Sequence, residues 1–379
     1  MSLERISAIF EENFARRDEL GASVSVWNGG SEVLSLGAGF CDRQKTRAWT
    51  ASTLVLFWSA TKGPAASCVL HSLQQNGLTL ETRVAEIWPE FAQNGKGAIT
   101  VGQLLSHCAG LAALDPVVPL LDYHAVIDAL AKQTPLWPPG SGHGYHPRTI
   151  GYLMDEIVRR LNHGATLGNY WREEFAEPLD LDIWIGLPPE KFDRVSPVFA
   201  ARTAVAKEET AFYDAFGDPE SLTFRAFTSP QGLNGATAMN SPDARTASLP
   251  AFGGIGTASS LAKFYAMLAS EGRIEGNRFF SETTLTWMKT TLSSGFDRVL
   301  QIETAFSAGF MKDPLDTQGK KLRTIFGPSP GAFGQPGAGG SVAFADPENG
   351  LAFAYVMNQM APGVLPSEKA MALINALYA

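Results

Sequence analysis

"FWSATKGPAA", residues 57–66, is the stretch on which the fold turns. Ser59 and Lys62 stand three apart where an apolar run passes into a helix-forming one. A helix is expected over 59–77, with Gly77 as the residue type suited to a left-handed C-cap. Gly63-Pro64 then falls in the first turn, where early N–H groups lack helical partners and proline is tolerated. Residues at i and i+3 share a helix face, so the two side chains can meet. A serine opening the helix lies at the positive end of its dipole, which favours an alkoxide. A serine hydroxyl needs a base beside it. A lysine serves only if its surroundings bring it down from its free value of about 10.4. Taken alone, Ser-x-x-Lys equally describes a solvated first turn.

The chain around this stretch has 379 residues, 45% hydrophobic and 18% charged, enough for one large domain or two medium ones. Its formal net charge is -8 and no basic run offers a nucleic-acid face, so nucleic acid is set aside as a partner. The opening "MSLERISAIFEENFARRDEL" is amphipathic and carries both charge signs, unlike a secretory signal. No run approaches the ~18 apolar residues of a membrane span, so no membrane partner is expected. Cys41, Cys68 and Cys108 are scattered and odd in number. They are expected as free, buried thiols in a reducing compartment, with the cytoplasm as the location.

"GASVSVWNGGSEVLSLGAGF" (21–40) alternates like a β-hairpin turning at Asn28-Gly29-Gly30. Residues 78–200 are mainly helical, with apolar residues at helical spacing in "TVGQLLSHCAGL" and "TIGYLMDEIVRRL", and "LWPPGSGHGYHP" (136–147) is a loop. Residues 201–250 are Ser/Pro/Ala-rich and read as a long irregular segment beside the active site. A helix over 259–272 follows, then strands in "AGGSVAFADP" and "GLAFAYVMNQM", and a terminal helix in "SEKAMALINALYA". Strands at both ends and helices between them imply an α+β fold. One antiparallel sheet is built from both termini and flanked by the terminal helices, with a mainly helical domain inserted. The boundaries expected are 1–60 with 245–379 for the sheet domain and 61–244 for the helical one, with a cleft between them.

Several stretches, in order, resemble the serine β-lactamase and penicillin-binding-protein superfamily, and within it the class C β-lactamases and family VIII carboxylesterases. "FWSATKG" is similar to the nucleophile segment, and "LQQNGLTLETRVAEIWPEF" to the stretch that follows it. "ITVGQLLSHCAGL" is similar to an "LLxHxSGL" segment, with Cys108 and Ala109 in place of the usual small polar pair. "PPGSGHGYHPRTIGYLMDEIVRR" is similar to the segment holding the second catalytic motif, and "FGGIGTASSLAKFYAML" to a later helix-opening stretch. "FGQPGAGGSVAFADPENGLAFAYVMN" occupies the place of the third motif. The resemblance implies a β-lactamase-like fold with Ser59 as nucleophile and Lys62 taking or positioning its proton. Tyr145, at the tyrosine of Tyr-x-Asn, would share the base role and later protonate the leaving group. A lysine ammonium nearby would ease its ionisation. Gln335-Pro336-Gly337 stands where the family has Lys-Thr-Gly on an edge strand and would bind substrate. The N–H groups of Ser59 and Ala338 would form the oxyanion hole.

Two departures set the expected activity. Gln335 has no charge with which to hold a β-lactam carboxylate, and Pro147 replaces the asparagine of Tyr-x-Asn. Both leave intact the machinery for attacking an uncharged ester. The resemblance therefore implies a serine hydrolase of the family VIII carboxylesterase kind, acting on a small-molecule ester. A β-lactamase, a DD-peptidase-like penicillin-binding protein, an acyltransferase and a penicillin-binding sensory module remain as alternatives. No cofactor or metal is implied. His143-x-x-His146 has a metal-like spacing but sits in a Pro/Gly loop without a visible third ligand, so hydrogen-bonding histidines are expected. His107 is read as structural, and Tyr152 as a core residue of its helix. No Gly-x-Ser-x-Gly exists and no histidine follows His163, which disfavours an α/β-hydrolase triad. Phe57, Trp58, Trp137, Trp184 and Phe333 are read first as packing residues.

Overall fold

Asn28 is followed by two residues in left-handed backbone, Gly29 at φ 57° and Gly30 at φ 80°. A two-residue type I′ turn needs positive φ at both places. It folds β1 (Gly21–Asn28) back onto β2 (Ser31–Gly39) as the expected hairpin. Six later strands join them: β3 (Ser293–Phe296), β4 (Glu303–Phe306), β5 (Met311–Lys312), β6 (Phe333–Pro336), β7 (Val342–Asp346) and β8 (Leu351–Met357). The sheet runs β2-β1-β8-β7-β6-β5-β4-β3, antiparallel throughout. The first hairpin thus docks on the last strand, with Val24 opposite Tyr355. The structure is a computed structural model and describes residues 2–202 and 209–379.

The period-two alternation of the central strands decides what covers each face. On β8, Leu351, Phe353, Tyr355 and Met357 share a core with α1 (Leu3–Arg16) and α5 (Glu368–Leu377), through Ile6, Phe10, Leu373 and Leu377. The intervening Ala352, Ala354 and Val356 face the other core, with Leu261, Phe264 and Leu268 of α4 (Ala258–Ala269). β7 repeats the division: Val342 and Phe344 on the first side, Ala343 and Ala345 on the second. Alanines let α4 lie close on the sheet, while the aromatics supply the bulk under the terminal helices. Truncating fully buried Phe353 to alanine would cost about 3–5 kcal/mol. The result is the expected α+β architecture, a sheet from both ends of the chain with helices on both faces.

Between β2 and β3 the chain runs through α2 (Lys62–Gln75) and α3 (Thr149–Leu161), then α4. The helix expected from Ser59 begins three residues later. Ser59 lies in a 3-10 turn (Trp58–Thr61) that leads into it, and Gly77 follows its end at φ 66°. A small sheet, not foreseen from the sequence, anchors that turn. Val55–Leu56 pairs with Gly254–Gly256, which pairs with Ile183–Ile185. The segment 201–250 is not an irregular loop. Its described residues form short helices at Thr210–Gly217, Leu222–Thr228, Gly235–Met239 and Pro242–Thr246, and residues 203–208 lie outside the described residues. Ser221 and Ser241 cap two of them, each accepting an N–H three residues on, which is how a Ser/Pro-rich stretch starts helices. No helix among the described residues is long and apolar enough to cross a membrane. Cys41, Cys68 and Cys108 are free and buried.

Candidate active site

The turn carrying Ser59 is held from several directions. Phe57 N–H donates to Gly254 O at 2.8 Å, Gly254 N–H to Thr61 Oγ1 at 2.8 Å, and Thr61 Oγ1 to Trp58 O at 2.6 Å. Trp58 has φ 53°, a left-handed conformation that costs a bulky residue about 1–3 kcal/mol. That strain, held by the anchors around it, leaves Ser59 half-buried at the mouth of a cleft.

Lys62 opens α2 and is 2% exposed. Its Nζ lies 3.2 Å from Ser59 Oγ, 3.0 Å from Pro147 O and 2.8 Å from Ala251 O. No carboxylate is among these partners, and burial holds its pKa well below the ordinary 10.5. Its ammonium site also lies 4.7 Å from the centre of the Tyr145 ring.

Tyr145 comes from the 136–147 loop and is buried. Burial raises its pKa above the ordinary value, hydrogen bonds with Ser59 and Gln335 oppose that rise, and the charge of Asp297 adds to it. The expected easing of its ionisation by a lysine ammonium is therefore corrected, because burial acts on both groups and disfavours both charged forms. Its position is set by Asp297, a residue the sequence reading missed. The Asp297 carboxylate is fully buried and accepts from the N–H of Tyr145 at 3.0 Å, of Val299 at 2.8 Å and of Leu300 at 2.9 Å. Nothing in the stretch around Asp297 signals this, since the contact spans 152 positions.

The histidines support the same loop. His146 Nε2 accepts from Leu111 N–H at 2.9 Å and Nδ1 meets Gly144 O at 2.7 Å, so the ring is the neutral Nδ1–H tautomer. His107 Nδ1 accepts from His146 N–H at 3.1 Å, the structural role expected of it. His143 Nε2 lies 2.7 Å from Thr304 Oγ1. Tyr152 donates its hydroxyl to Leu120 O and stays in the core.

Gln335, Pro336 and Gly337 arrive at the end of β6. That strand is not an edge, since β7 and β5 flank it. β5, however, meets it at the single pair Met311–Gly334, so the end of β6 remains open to the cleft. Gln335 is 1% exposed and donates Nε2 to Tyr145 Oη at 3.3 Å. A Cβ on Gly337 would lie 2.0 Å from Phe57 O, so only glycine lets β6 approach the nucleophile turn this closely. Ser59 and Ala338 both stand in the opening positions of 3-10 turns, Trp58–Thr61 and Ala338–Gly340, where N–H groups have no carbonyl one turn back. Two hollows meet at Ser59. A narrow cleft is lined by Tyr145, Gln335, Pro336, Leu300 and Met311. A cavity of about 380 Å³ is walled by Trp58, Phe216, Phe224, Phe227 and Phe252. Of the aromatics singled out in the sequence, Trp58 alone lines this cavity, and Phe57 and Phe333 are core residues.

A serine, a buried lysine with no acidic partner among the described residues and a loop tyrosine converge beside a strand end. The model of the Beta-lactamase family matches residues 6–378. The chain belongs to that family. A curated relative, "Esterase/beta-lactamase LipL" of Mycobacterium tuberculosis, is 32% identical over 358 residues, 93% of this chain and 80% of that protein. A penicillin-binding protein homologue from Caulobacter crescentus is 36% identical with a TM-score of 0.87, covering 99% of this chain and 96% of the other. A family VIII carboxylesterase is 32% identical with the same TM-score and the same coverage. This Beta-lactamase family member is accordingly an enzyme, a serine hydrolase of the β-lactamase and penicillin-binding-protein superfamily.

Proposed function

We propose that the protein cleaves small carboxylic esters through an acyl-enzyme on Ser59. The observation that carries the reading is the hydrogen bonding of Lys62. Pro147 O and Ala251 O can only accept, so each takes one N–H of the Nζ group. A neutral amine has two N–H bonds and one lone pair. The lone pair is then left for the Ser59 hydroxyl at 3.2 Å, and burial favours that neutral form. Ser59 Oγ attacks the ester carbonyl as its proton passes to Lys62. The N–H groups of Ser59 and Ala338 receive the oxyanion. Collapse breaks the bond to the alcohol, whose oxygen takes a proton from Tyr145, resupplied from Lys62. Water then enters by the same steps in reverse and releases the acid.

The names of the relatives support an ester substrate, since LipL is called an esterase and the solved neighbour a carboxylesterase. β-Lactam hydrolysis is the second reading, favoured by the other half of LipL's name. Gln335 weighs against it, because its neutral amide is bonded to Tyr145 and cannot compensate a carboxylate. The test is intact-mass analysis after a fluorophosphonate probe, paired with turnover of 4-nitrophenyl acetate. One adduct on Ser59, none on Ser59→Ala, and sustained turnover are expected. An adduct elsewhere, wild-type rates in Ser59→Ala, or a single stoichiometric burst would each sink the proposal.

A further inference from the structure

The two hollows at Ser59 are not equivalent, and the proposed chemistry orients an ester across them. Tyr145 delivers a proton to the leaving oxygen, so the alcohol half must lie against Tyr145. Tyr145 lines the narrow cleft and is absent from the residues lining the aromatic cavity. Ser59 and Ala338, which would grip the carbonyl, border both. The acyl half therefore extends into the aromatic cavity.

That cavity has an unusual wall. Among the residues lining it none is acidic, and one, Arg148, is basic. Arg148 is 8% exposed and forms no ion pair among the described residues. Its Nη1 donates to Pro230 O at 2.8 Å and Gly232 O at 2.7 Å, and its Nη2 to Asn234 Oδ1 at 2.6 Å. Of the five N–H bonds of a guanidinium, these use three and leave two. Burial lowers its pKa only to about 10, so it stays charged at neutral pH. The bond to Asn234 engages that amide through its oxygen and leaves its NH₂ donors free of the arginine, on an exposed residue that also lines the cavity. Thr228 already gives its hydroxyl proton to Phe224 O. Three oxygen acceptors and the face of Phe252, 5.6 Å from its Cζ, compensate this buried cation in part, and no acidic side chain among the described residues does so. Apolar rings dominate the lining of the cavity, and Arg148 and Asn234 add a positive charge and donors to it.

We propose that Arg148, with Asn234, selects esters whose acyl half has an apolar body ending in a carboxylate, such as the half-esters of dicarboxylic acids. The inference rests on the ester-cleaving reading above. It does not favour β-lactams, whose carboxylate sits on the leaving-amine side, in the cleft where Gln335 is neutral.

The experiment compares kcat/KM for 4-nitrophenyl hemiglutarate and 4-nitrophenyl hexanoate. The wild type should prefer the hemiglutarate, and the preference should shrink in high salt, as screening of a partly open charge pair requires. Arg148→Met should cut the hemiglutarate-to-hexanoate ratio of kcat/KM about 10- to 100-fold, the range for losing a charge-assisted hydrogen bond. Arg148→Lys should recover part of the loss. A carboxylate moved to the alcohol half, as in 3-carboxyphenyl hexanoate, should be indifferent to Arg148. The proposal is overturned if the wild type prefers hexanoate. It is equally overturned if the Arg148 variants lower both substrates together, which would make the residue a clamp for residues 230–234 only. Should Arg148→Met fail to fold, the wild-type preference and its salt dependence decide alone. Failure of the wild type on both esters would instead overturn the ester-cleaving reading itself.

Discussion

Lys62 is the residue where perturbation separates the proposed chemistry from a structural role most cleanly. Lys62→Met keeps the length and apolar stem but removes the amine, and Lys62→Arg keeps a charge that cannot be shed. As an ammonium, Lys62 would present three N–H bonds to its three partners, Pro147 O, Ala251 O and Ser59 Oγ, and could not receive the serine's proton. Only the neutral amine can start the reaction. Activity should therefore fall as pH drops through the folded-state pKa of Lys62, tenfold per unit below it. Were that pKa still at 10.5, only about one molecule in a thousand would be active at about pH 7.5, an added barrier of about 4 kcal/mol. Burial moves the pKa well below that value, so the rising limb of kcat/KM should be complete well before pH 10.5. The limb belongs to Lys62 and Tyr145 as a coupled unit. Both variants should lose about 10²–10⁴-fold in kcat while fluorescence-monitored unfolding still shows a folded protein. The assay follows a stable alkyl ester by chromatography across the pH range, avoiding the alkaline lability of activated esters. A limb that tracks an ordinary lysine refutes the neutral-amine argument, and so does near-wild-type activity in Lys62→Arg.

Tyr145→Phe should lower kcat by about 10²–10⁴-fold, and combining it with Lys62→Met should cost little more, since the two act on one proton; independent multiplication of the losses in kcat measurements contradicts this. Gln335→Lys should raise the nitrocefin-to-ester ratio of kcat/KM, the gain shrinking in salt, and a shift the other way removes the explanation given for substrate choice. Gly337→Ala should reduce kcat about 100-fold, the cost of displacing an oxyanion donor, because its Cβ would collide with Phe57 O; unchanged kinetics would show that β6 can yield there. His71 and His146 are each lowered by burial from 6.5 to about 4, so the unfolded chain takes up protons that the folded one refuses. The stability present above pH 6.5 is lost as pH falls toward 4, roughly 3 kcal/mol per histidine, and a urea midpoint that stays flat between about pH 7 and pH 5 would contradict it.

What the sequence disclosed about the site was local, and what it hid was not. The Ser59–Lys62 spacing, the Asn28-Gly29-Gly30 turn and the capped end of α2 at Gly77 each depend on a few neighbouring residues. The first hairpin and the last two strands of the sheet could be foreseen because alternation marks them, as in β8, whereas β3, β4 and β5 were not foreseen. Asp297 and Arg148 could not, because one acts across 152 positions and the other across 82 to 86. The short strand Gly254–Gly256 is apolar and glycine-rich without any alternation to mark it. Such residues acquire meaning only from what the fold brings to them.

The same distinction explains why a neighbouring lysine does not ease the ionisation of Tyr145. Beside an ammonium in water a phenol ionises more easily, but that comparison assumes the ammonium exists. In this site Lys62 and Tyr145 are both buried, and Asp297 is committed to backbone N–H groups behind the tyrosine. Two buried groups that must choose charges have a cheaper arrangement, in which the amine is neutral and the phenol keeps its proton. Burial favours the uncharged form of each. In the proposed mechanism, attack by Ser59 would create an oxyanion and a lysine ammonium in the same step, with Lys62 Nζ 3.2 Å from Ser59 Oγ at the start. Their mutual attraction is absent before the reaction and largest at the transition state, which is the condition for an interaction to raise kcat rather than merely tighten binding.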